Sequence, residues 1–393
     1  GNTVTTGSVT IPMMKKTGYP PEFAGAVEAA SSTGGQIMPP IMGAAAFIMA
    51  EMTGYEYSDI IVRAILPAFL YFLGIFLGVH FKAKKLGLVG LKREELPKWK
   101  LLLPKIYLLL PLIILTWMVI AGQTMAKSAI YGTIVAIVVG IINKDDRMTP
   151  TKFVNGLENG GKNCLSIGIA CGIAGIISVC ITMTGLGGKL ITYVVKLSNG
   201  HLFIALFLTM ICCIILGMGV PTTANYIIMA STCAPILING MGMHILAANM
   251  FVFYFGIVAD ITPPVALAAY AGAAIAKAPP MKTALNATRL AIAAFIIPYI
   301  FAYNNAMIFV GDVTFFGVAS IVISATLGMA SIASGFMGYL IHDLKWYSRI
   351  ALIAGGLLMV IPGTVTDLAG LAILIVILLI QRAENKKEKK AAV

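Results

Sequence analysis

Long apolar stretches with almost no charge leave this chain few folds to adopt. The runs at 60–79, 106–121, 204–216 and 371–380 are separated by short polar loops. In a chain that is 59% hydrophobic and only 11% charged, such runs are typical of helices that cross a lipid bilayer. The sequence therefore predicts an all-α polytopic membrane protein.

The positive charges predict how the chain is oriented. When the loops are placed alternately on the two sides of the membrane, 23 of the 28 Lys and Arg residues fall on one side. That side is cytoplasmic by the positive-inside rule, and it includes the basic tail after Arg382. The alternation requires residues 202–238 to form a re-entrant hairpin that enters and leaves from outside. Because the net charge of +12 is spread over these loops, it does not indicate a nucleic-acid partner.

Two parts of the chain repeat each other. Residues 35–40 read GQIMPP and residues 259–264 read ADITPP, and small residues follow both motifs. Asn2 and Asn225 each lie ten residues before a proline, and Arg63 and Arg289 follow the two Pro-Pro pairs. By the predicted topology the repeats are inverted. Inverted repeats with re-entrant hairpins and broken helices are typical of secondary transporters, which bind substrate and ions at the breaks.

The breaks predict the binding chemistry. A Pro-Pro pair frees backbone carbonyls, which are costly in lipid unless an ion or a polar cavity satisfies them. Oxygen ligands suit Na⁺, while Asp260 leaves H⁺ open as the coupling ion, and helix N-termini suit an anionic substrate. The predicted cation-binding residues are Asn2, Gly35, Gln36, Met38, Gly217, Met218, Gly219, Thr222, Thr223, Ala259, Asp260 and Thr262. The predicted substrate-binding residues are Thr33, Gly34, Gly35, Thr222 and Thr262. The two breaks are expected to approach each other near the bilayer midplane.

Other polar residues in the spans have two readings each. Glu28 lies near the ion or substrate path, or makes a hydrogen bond between helices. Arg63 and Arg289 extend to the lipid headgroups, or tie their helices to the hairpins. There is no HExxH motif and no Walker A motif in the sequence, so no enzymatic activity and no ATP drive are predicted. An ion channel is an alternative, but inverted repeats favour alternating access.

The motifs resemble those of one transporter family. Residues 2–12 (NTVTTGSVTIP), 25–40 (GAVEAASSTGGQIMPP) and 259–269 (ADITPPVALAA) are similar to the large membrane subunit of TRAP (tripartite ATP-independent periplasmic) transporters. The resemblance covers about residues 1–305. It is greatest to fused permeases that work with TAXI-type binding proteins, and the spans after Phe316 resemble an extra segment of some fused members.

This resemblance implies an elevator-type importer of a bacterial or archaeal inner membrane. A periplasmic TAXI-type binding protein would deliver an organic anion, in most family members a carboxylate, and a Na⁺ gradient would drive uptake. A small membrane subunit is expected, fused before Gly1, together with the missing first arm of hairpin 1. The chain is therefore expected to be a fragment. The alternative is a stand-alone ion-coupled dicarboxylate symporter.

The pattern divides the chain into four parts. Residues 1–81 hold the remainder of the first repeat, and residues 82–162 hold a cytoplasmic loop and two connecting spans. Residues 163–305 hold the second repeat with hairpin 2. Residues 306–393 hold the extra spans and the basic tail.

Overall fold

The computed structural model describes residues 2–90, 99–144, 147–311, 313–360 and 363–391. The chain is 81% helical, and no strand occurs in these ranges. The helices are α1 (Asn2–Lys16), α2 (Pro21–Gly34), α3 (Ala44–Thr53), α4 (Tyr57–Lys85), α5 (Trp99–Leu102), α6 (Leu110–Ile120), α7 (Met125–Ile142), α8 (Pro150–Met183), α9 (Leu186–Ser198), α10 (Leu202–Gly217), α11 (Thr222–Thr232), α12 (Ile245–Val258), α13 (Leu267–Ala276), α14 (Pro280–Leu290), α15 (Ile292–Tyr303), α16 (Phe315–Met337), α17 (Trp346–Val360) and α18 (Thr364–Ala391).

Among the described residues, five helical stretches are long and apolar enough to cross a membrane. They are Tyr57–Lys85, Leu103–Ile120, Pro280–Tyr303, Phe315–Met337 and Thr364–Glu384. A sixth is possible if the end of α8 and α9, which are bent by 70°, count as one span. The predicted all-α polytopic fold is confirmed. Part of the predicted cytoplasmic loop, residues 91–98, lies outside the described ranges.

The two repeats build the same unit from helices of equal length. The helix before each break, α2 or α12, has 14 residues, and the helix after it, α3 or α13, has 10 residues. Both Pro-Pro peptide bonds are cis. The second break opens with a 3₁₀ turn at Ala259–Ile261. Equal helix lengths around matching breaks support the internal repeat.

The repeats also pack reciprocally. Helices α1 and α2 of the first repeat contact α13 of the second, and α11 and α12 of the second contact α3 of the first. In each repeat, the helix that follows the break therefore packs against the helices that precede the break in the other repeat. This exchange is what a two-fold relation between inverted repeats produces.

The α2–α13 contact depends on two glycines that face each other. A Cβ atom on Gly272 would lie 2.6 Å from the Gly25 carbonyl oxygen, and a Cβ atom on Gly25 would lie 2.9 Å from the Gly272 carbonyl oxygen. The obstacle in both cases is backbone, which cannot rotate aside. Small residues allow helices to approach this closely in a membrane protein.

Helix α8 begins earlier than the sequence predicts. The apolar pattern predicts a span only from residue 163, with residues 143–162 facing the cytoplasm, but α8 is helical from Pro150. Its first turns are polar, and Lys162 and Glu158 form an ion pair of 2.6 Å one helical turn apart. A hydropathy pattern locates only the apolar part of a helix, so it cannot detect a polar extension into water.

The last three helices form a bundle beside the repeats. Helices α16, α17 and α18 pack against one another, and α16 lies along α4. The C-terminal carbonyls of α16 are capped by cations: Arg349 donates to Gly335 and Phe336, and Lys85 of α4 reaches Gly338 at 3.4 Å. Cations are favourable at this end of a helix. Because Lys85 belongs to α4, this cap also holds the bundle to the first repeat.

Arg63 makes a specific contact within the protein. Its guanidinium donates to the Phe309 carbonyl oxygen at 2.7 Å and lies 5.4 Å from the centre of the Tyr55 ring. The second reading of Arg63, a structural tie, therefore describes it better than a simple extension to the headgroups. Its partner lies after α15 rather than in a hairpin. Arg289, its counterpart in the second repeat, is exposed.

We expect Arg63→Met to lower stability more than Arg289→Met. The first change removes a charge-assisted hydrogen bond, worth about 1.5–3 kcal/mol, and a cation–π contact, worth about 0.5–1 kcal/mol. Thermal unfolding of the purified variants in detergent measures the difference. Equal losses in the two variants would show that the Phe309 contact contributes nothing specific.

Candidate transport site

The tip of hairpin 2 lies directly against the second break. Helix α10 ends at Gly217, and α11 begins at Thr222. A Cβ atom on Gly217 would lie 2.8 Å from the Ala259 Cβ atom and 2.7 Å from the Asn225 side-chain nitrogen. Gly219 has a φ of +76°, which glycine adopts at little cost. The two glycines thus let the hairpin turn and approach the break.

A carboxylate and a hydroxyl face each other across this contact. The Thr222 Oγ1 atom is 3.5 Å from the Asp260 Oδ2 atom, which is the outer limit of a hydrogen bond. Asp260 is half-buried in the 3₁₀ turn. The Thr262 hydroxyl donates to the Val258 carbonyl at 2.7 Å and so steadies the turn. The long Thr222–Asp260 separation leaves both oxygens available to a cation.

Asn225 supplies an unused oxygen at the same place. Its side chain is 1% exposed, and its Nδ2 atom donates to the Gly256 carbonyl at 3.1 Å. A carbonyl can only accept, so the amide nitrogen must face Gly256. The Oδ1 atom is buried and has no hydrogen-bond partner in the described part of the chain. Asn225 follows Thr222 by three residues on α11, so this side chain lies about one helical turn from the Thr222 hydroxyl.

The first repeat has an equivalent asparagine hydrogen bond between its hairpin and the helix before its break. Asn2 donates from its side chain to the Ser32 hydroxyl at 3.1 Å. Ser32 and Gly256 each lie eight residues before the second proline of their break. Asn2 was among the predicted cation-binding residues and Asn225 was not. The matching spacing of the two asparagines to a proline was the signal that could have identified Asn225.

Several carbonyls near the breaks have protein partners. Tyr57 donates its hydroxyl to the Ile41 carbonyl at 2.7 Å, and Tyr270 donates to the Pro264 carbonyl at 2.6 Å. Thr288 donates to the Ile261 carbonyl at 3.1 Å. An ion or a polar cavity was predicted to satisfy the freed carbonyls. Hydroxyl groups meet part of that need, so an ion site depends more on Asn225 and Asp260.

The predicted residues of the first break are placed as follows. Thr33 and Gly34 are buried, and Gly34 packs directly under the Tyr71 ring. Gly35 and Met38 are exposed, and the Gln36 carbonyl accepts from the Gly43 amide at 2.8 Å. In the described part of the chain, no hydrogen bond joins these residues to residues 217–223 of the hairpin 2 tip. Their roles remain predictions.

The predicted residues of the second repeat do come together. Gly217, Thr222, Ala259 and Asp260 meet through the contacts above, and Met218, Gly219, Thr223 and Thr262 are their chain neighbours. The turn at Ala259–Ile261 also packs on α2, which ends at the first break. Among the described residues no group of three or more His, Cys, Asp or Glu could hold a metal ion.

Comparison with models of known protein families gives one match. Residues 1–316 match the family described as "Tripartite ATP-independent periplasmic transporter, DctM component". The match includes both repeats and ends at the start of α16. No curated protein matches the chain.

Proposed function

Because the chain belongs to the DctM family of TRAP transporters, we propose that it is the permease core of a Na⁺-driven importer of a small organic anion, a carboxylate in particular. DctM proteins are transporter components that work with a periplasmic binding protein and a small membrane subunit. The observation that carries the proposal is made at the hairpin 2 tip, where Thr222 faces Asp260 and where Asn225, three residues after Thr222 on α11, has a buried oxygen without a hydrogen-bond partner among the described residues.

Each group at the site has a defined task. Asn225, Thr222 and Asp260 contribute oxygen ligands for Na⁺, and Gly217 allows the hairpin tip to close on Ala259. The backbone amides at the start of α11 and the Thr33 hydroxyl suit a carboxylate. Such neutral ligands bind an anion without a buried ion pair that would have to be broken on release.

The packing of the repeats fits an elevator mechanism. Because the helices around each break pack against those around the other, the two repeats form one packed unit that contains both breaks. A body of this kind can carry a bound ion and substrate across the membrane together. The resemblance of residues 2–12, 25–40 and 259–269 to fused permeases further favours a TAXI-type binding protein and a fused small subunit.

Uptake by the reconstituted system tests the proposal. The intact permease is reconstituted in proteoliposomes, and its binding protein is added outside. Uptake of the ligand that co-purifies with the binding protein is then measured. We expect saturable uptake that requires an inward Na⁺ gradient and stops when an ionophore dissipates it. Uptake that needs no binding protein would favour a stand-alone symporter, and a non-saturating conductance would favour a channel.

The predicted orientation has its own test. We expect a cysteine at Glu56, between α3 and α4, to react with an impermeant maleimide added outside intact cells. A cysteine at Gly90, which has open space around it, should react only after the membrane is permeabilised. The protein without added cysteines measures background from its six native cysteines. Labelling of Gly90→Cys in intact cells would contradict the predicted topology.

A further inference from the structure

A cavity of about 250 Å³ lies between α15 of the second repeat and the C-terminal bundle. It is at the end of the bundle where α15 and α17 end and α16 and α18 begin. Apolar side chains form much of its wall, together with five polar residues: Asn304, Ser320, Ser324, Thr364 and Asp367. A few polar groups gathered in an otherwise apolar wall are typical of a ligand site. We call this cavity the polar chamber, and it is separate from hairpin 2 and from both breaks.

A second cavity, of about 380 Å³, adjoins the polar chamber on the side of α16 and α18. The two cavities share four wall residues: Ser320, Ser324, Met359 and Asp367. The rest of the second wall is apolar and forms what we call the apolar groove: Phe316, Ala319, Ile323, Leu327, Leu368 and Leu371. Phe316, Ile323 and Leu368 are more than half exposed. Since α16 and α18 are both long enough to cross a membrane, the apolar groove faces lipid acyl chains.

The Asp367 carboxylate lies where the polar chamber meets the apolar groove. Its Oδ1 atom accepts from the Ser324 hydroxyl at 2.5 Å, and no described residue donates a hydrogen bond to its Oδ2 atom. The Ser324 oxygen is also 2.7 Å from the Met359 carbonyl oxygen, so its single hydrogen is shared between two acceptors. No Lys, Arg or His in the described ranges forms an ion pair with Asp367. This carboxylate is therefore suited to a ligand that brings both a positive charge and hydrogen-bond donors.

Two glycine contacts hold the three helices of the bundle about one helical turn from the polar chamber. A Cβ atom on Gly356 of α17 would lie 2.7 Å from the Gly328 carbonyl oxygen of α16, and a Cβ atom on Gly370 of α18 would meet the Gly355 carbonyl oxygen of α17. Both contacts involve backbone, which fixes the spacing of the helices beside the chamber. A site that is already formed costs little reorganisation when a ligand binds.

We propose that the polar chamber and the apolar groove together bind one lipid with a primary ammonium headgroup, of the phosphatidylethanolamine class. The ammonium group carries three N–H donors and pairs with Asp367, while the Ser324 hydroxyl donates to Met359. The lipid phosphate lies at the first turn of α18, where backbone amides and the Thr364 hydroxyl suit an anion. One acyl chain fills the apolar groove.

The charge at the junction selects this lipid class over the other common ones. Phosphatidylglycerol is anionic and would bring no positive charge to Asp367. Phosphatidylcholine has a positive charge, but its quaternary nitrogen has no N–H to donate. Only a primary ammonium group supplies both the charge and the donors that Asp367 lacks within the described part of the protein.

Native mass spectrometry of the intact, delipidated permease with added lipids tests the site without any transport. The probes are phosphatidylethanolamine, phosphatidylglycerol and phosphatidylcholine with identical acyl chains. We expect the wild type to bind the first about tenfold more tightly than the other two, which is the factor that one charge-assisted hydrogen bond supplies. Asp367→Asn removes the charge at almost the same volume and should bind all three lipids equally.

Asp59→Asn is the matched control. Asp59 is also in the first turn of a membrane-spanning helix, α4, but it is exposed and does not line the chamber or the groove. This variant should keep the preference for phosphatidylethanolamine. A preference that is lost equally in both variants would mean a general effect of charge and would overturn the proposal, as would a preference that Asp367→Asn retains.

Ala319→Phe tests the apolar groove independently of the carboxylate. The larger side chain would fill part of the groove, so all three lipids should bind more weakly by a similar factor. Unchanged binding by this variant would overturn the placement of the acyl chain. The comparison of the three lipids on the wild type requires no substitution, and equal binding of all three there would overturn the proposal even if a variant failed to fold.

Discussion

Gly272→Val is expected to prevent the two repeats from packing together. The first added carbon would lie 2.6 Å from the Gly25 carbonyl oxygen, and a backbone oxygen can move only if its whole helix moves. Overpacking by a methylene typically costs about 1–3 kcal/mol, and valine adds three carbons at a rigid contact. We expect little folded protein, seen as aggregation on size-exclusion chromatography and a large drop in melting temperature.

The matched control is Gly172→Val. Gly172 also lies within a long apolar helix, but nothing lies within 4 Å of a Cβ atom there. Both variants carry the same side chain and are measured under the same conditions, so the intrinsic helix propensity of valine cancels from the comparison. A Gly272→Val protein as stable as Gly172→Val would mean that the α2–α13 crossing is not essential to the fold.

The breaks could be predicted because two consecutive prolines remove two backbone donors and so interrupt a membrane helix. The hydropathy pattern likewise predicts helices at residues 245–258 and 346–361, where the structure has α12 (Ile245–Val258) and α17 (Trp346–Val360). The reciprocal packing of the repeats follows from their internal similarity. The polar start of α8 was missed because it carries no hydropathy signal.

Partners far apart in the chain could not be predicted. Phe309 is 246 residues from Arg63, and no local pattern links them. The spacing of Thr6 and Thr10 by four residues is visible in the sequence, but the rotation of α1 against α2 that brings both hydroxyls to the Glu28 carboxylate is not. Such rotation depends on side-chain packing across the whole helix pair.

Asn225→Leu is expected to abolish stabilisation of the protein by Na⁺. The leucine removes the unpaired Oδ1 oxygen at similar volume while α11 stays apolar. A ligand that binds only the folded state stabilises it by about 2.7 kcal/mol at 100 times its Kd. We therefore expect the wild-type melting temperature to rise with NaCl, against choline chloride of equal ionic strength, and the Asn225→Leu value to stay constant.

Asn249→Leu is the control that separates ion binding from general stability. Asn249 is also buried, but its oxygen already has a protein partner, because it accepts from the Tyr226 hydroxyl at 2.8 Å. This variant should melt at a lower temperature and still respond to Na⁺. Gly217→Ala should reduce the response as well, since its methyl group would lie 2.7 Å from the Asn225 nitrogen and displace that side chain. A full Na⁺ response in Asn225→Leu would exclude the Asn225 oxygen as a ligand and leave Asp260 and Thr222 without their third partner.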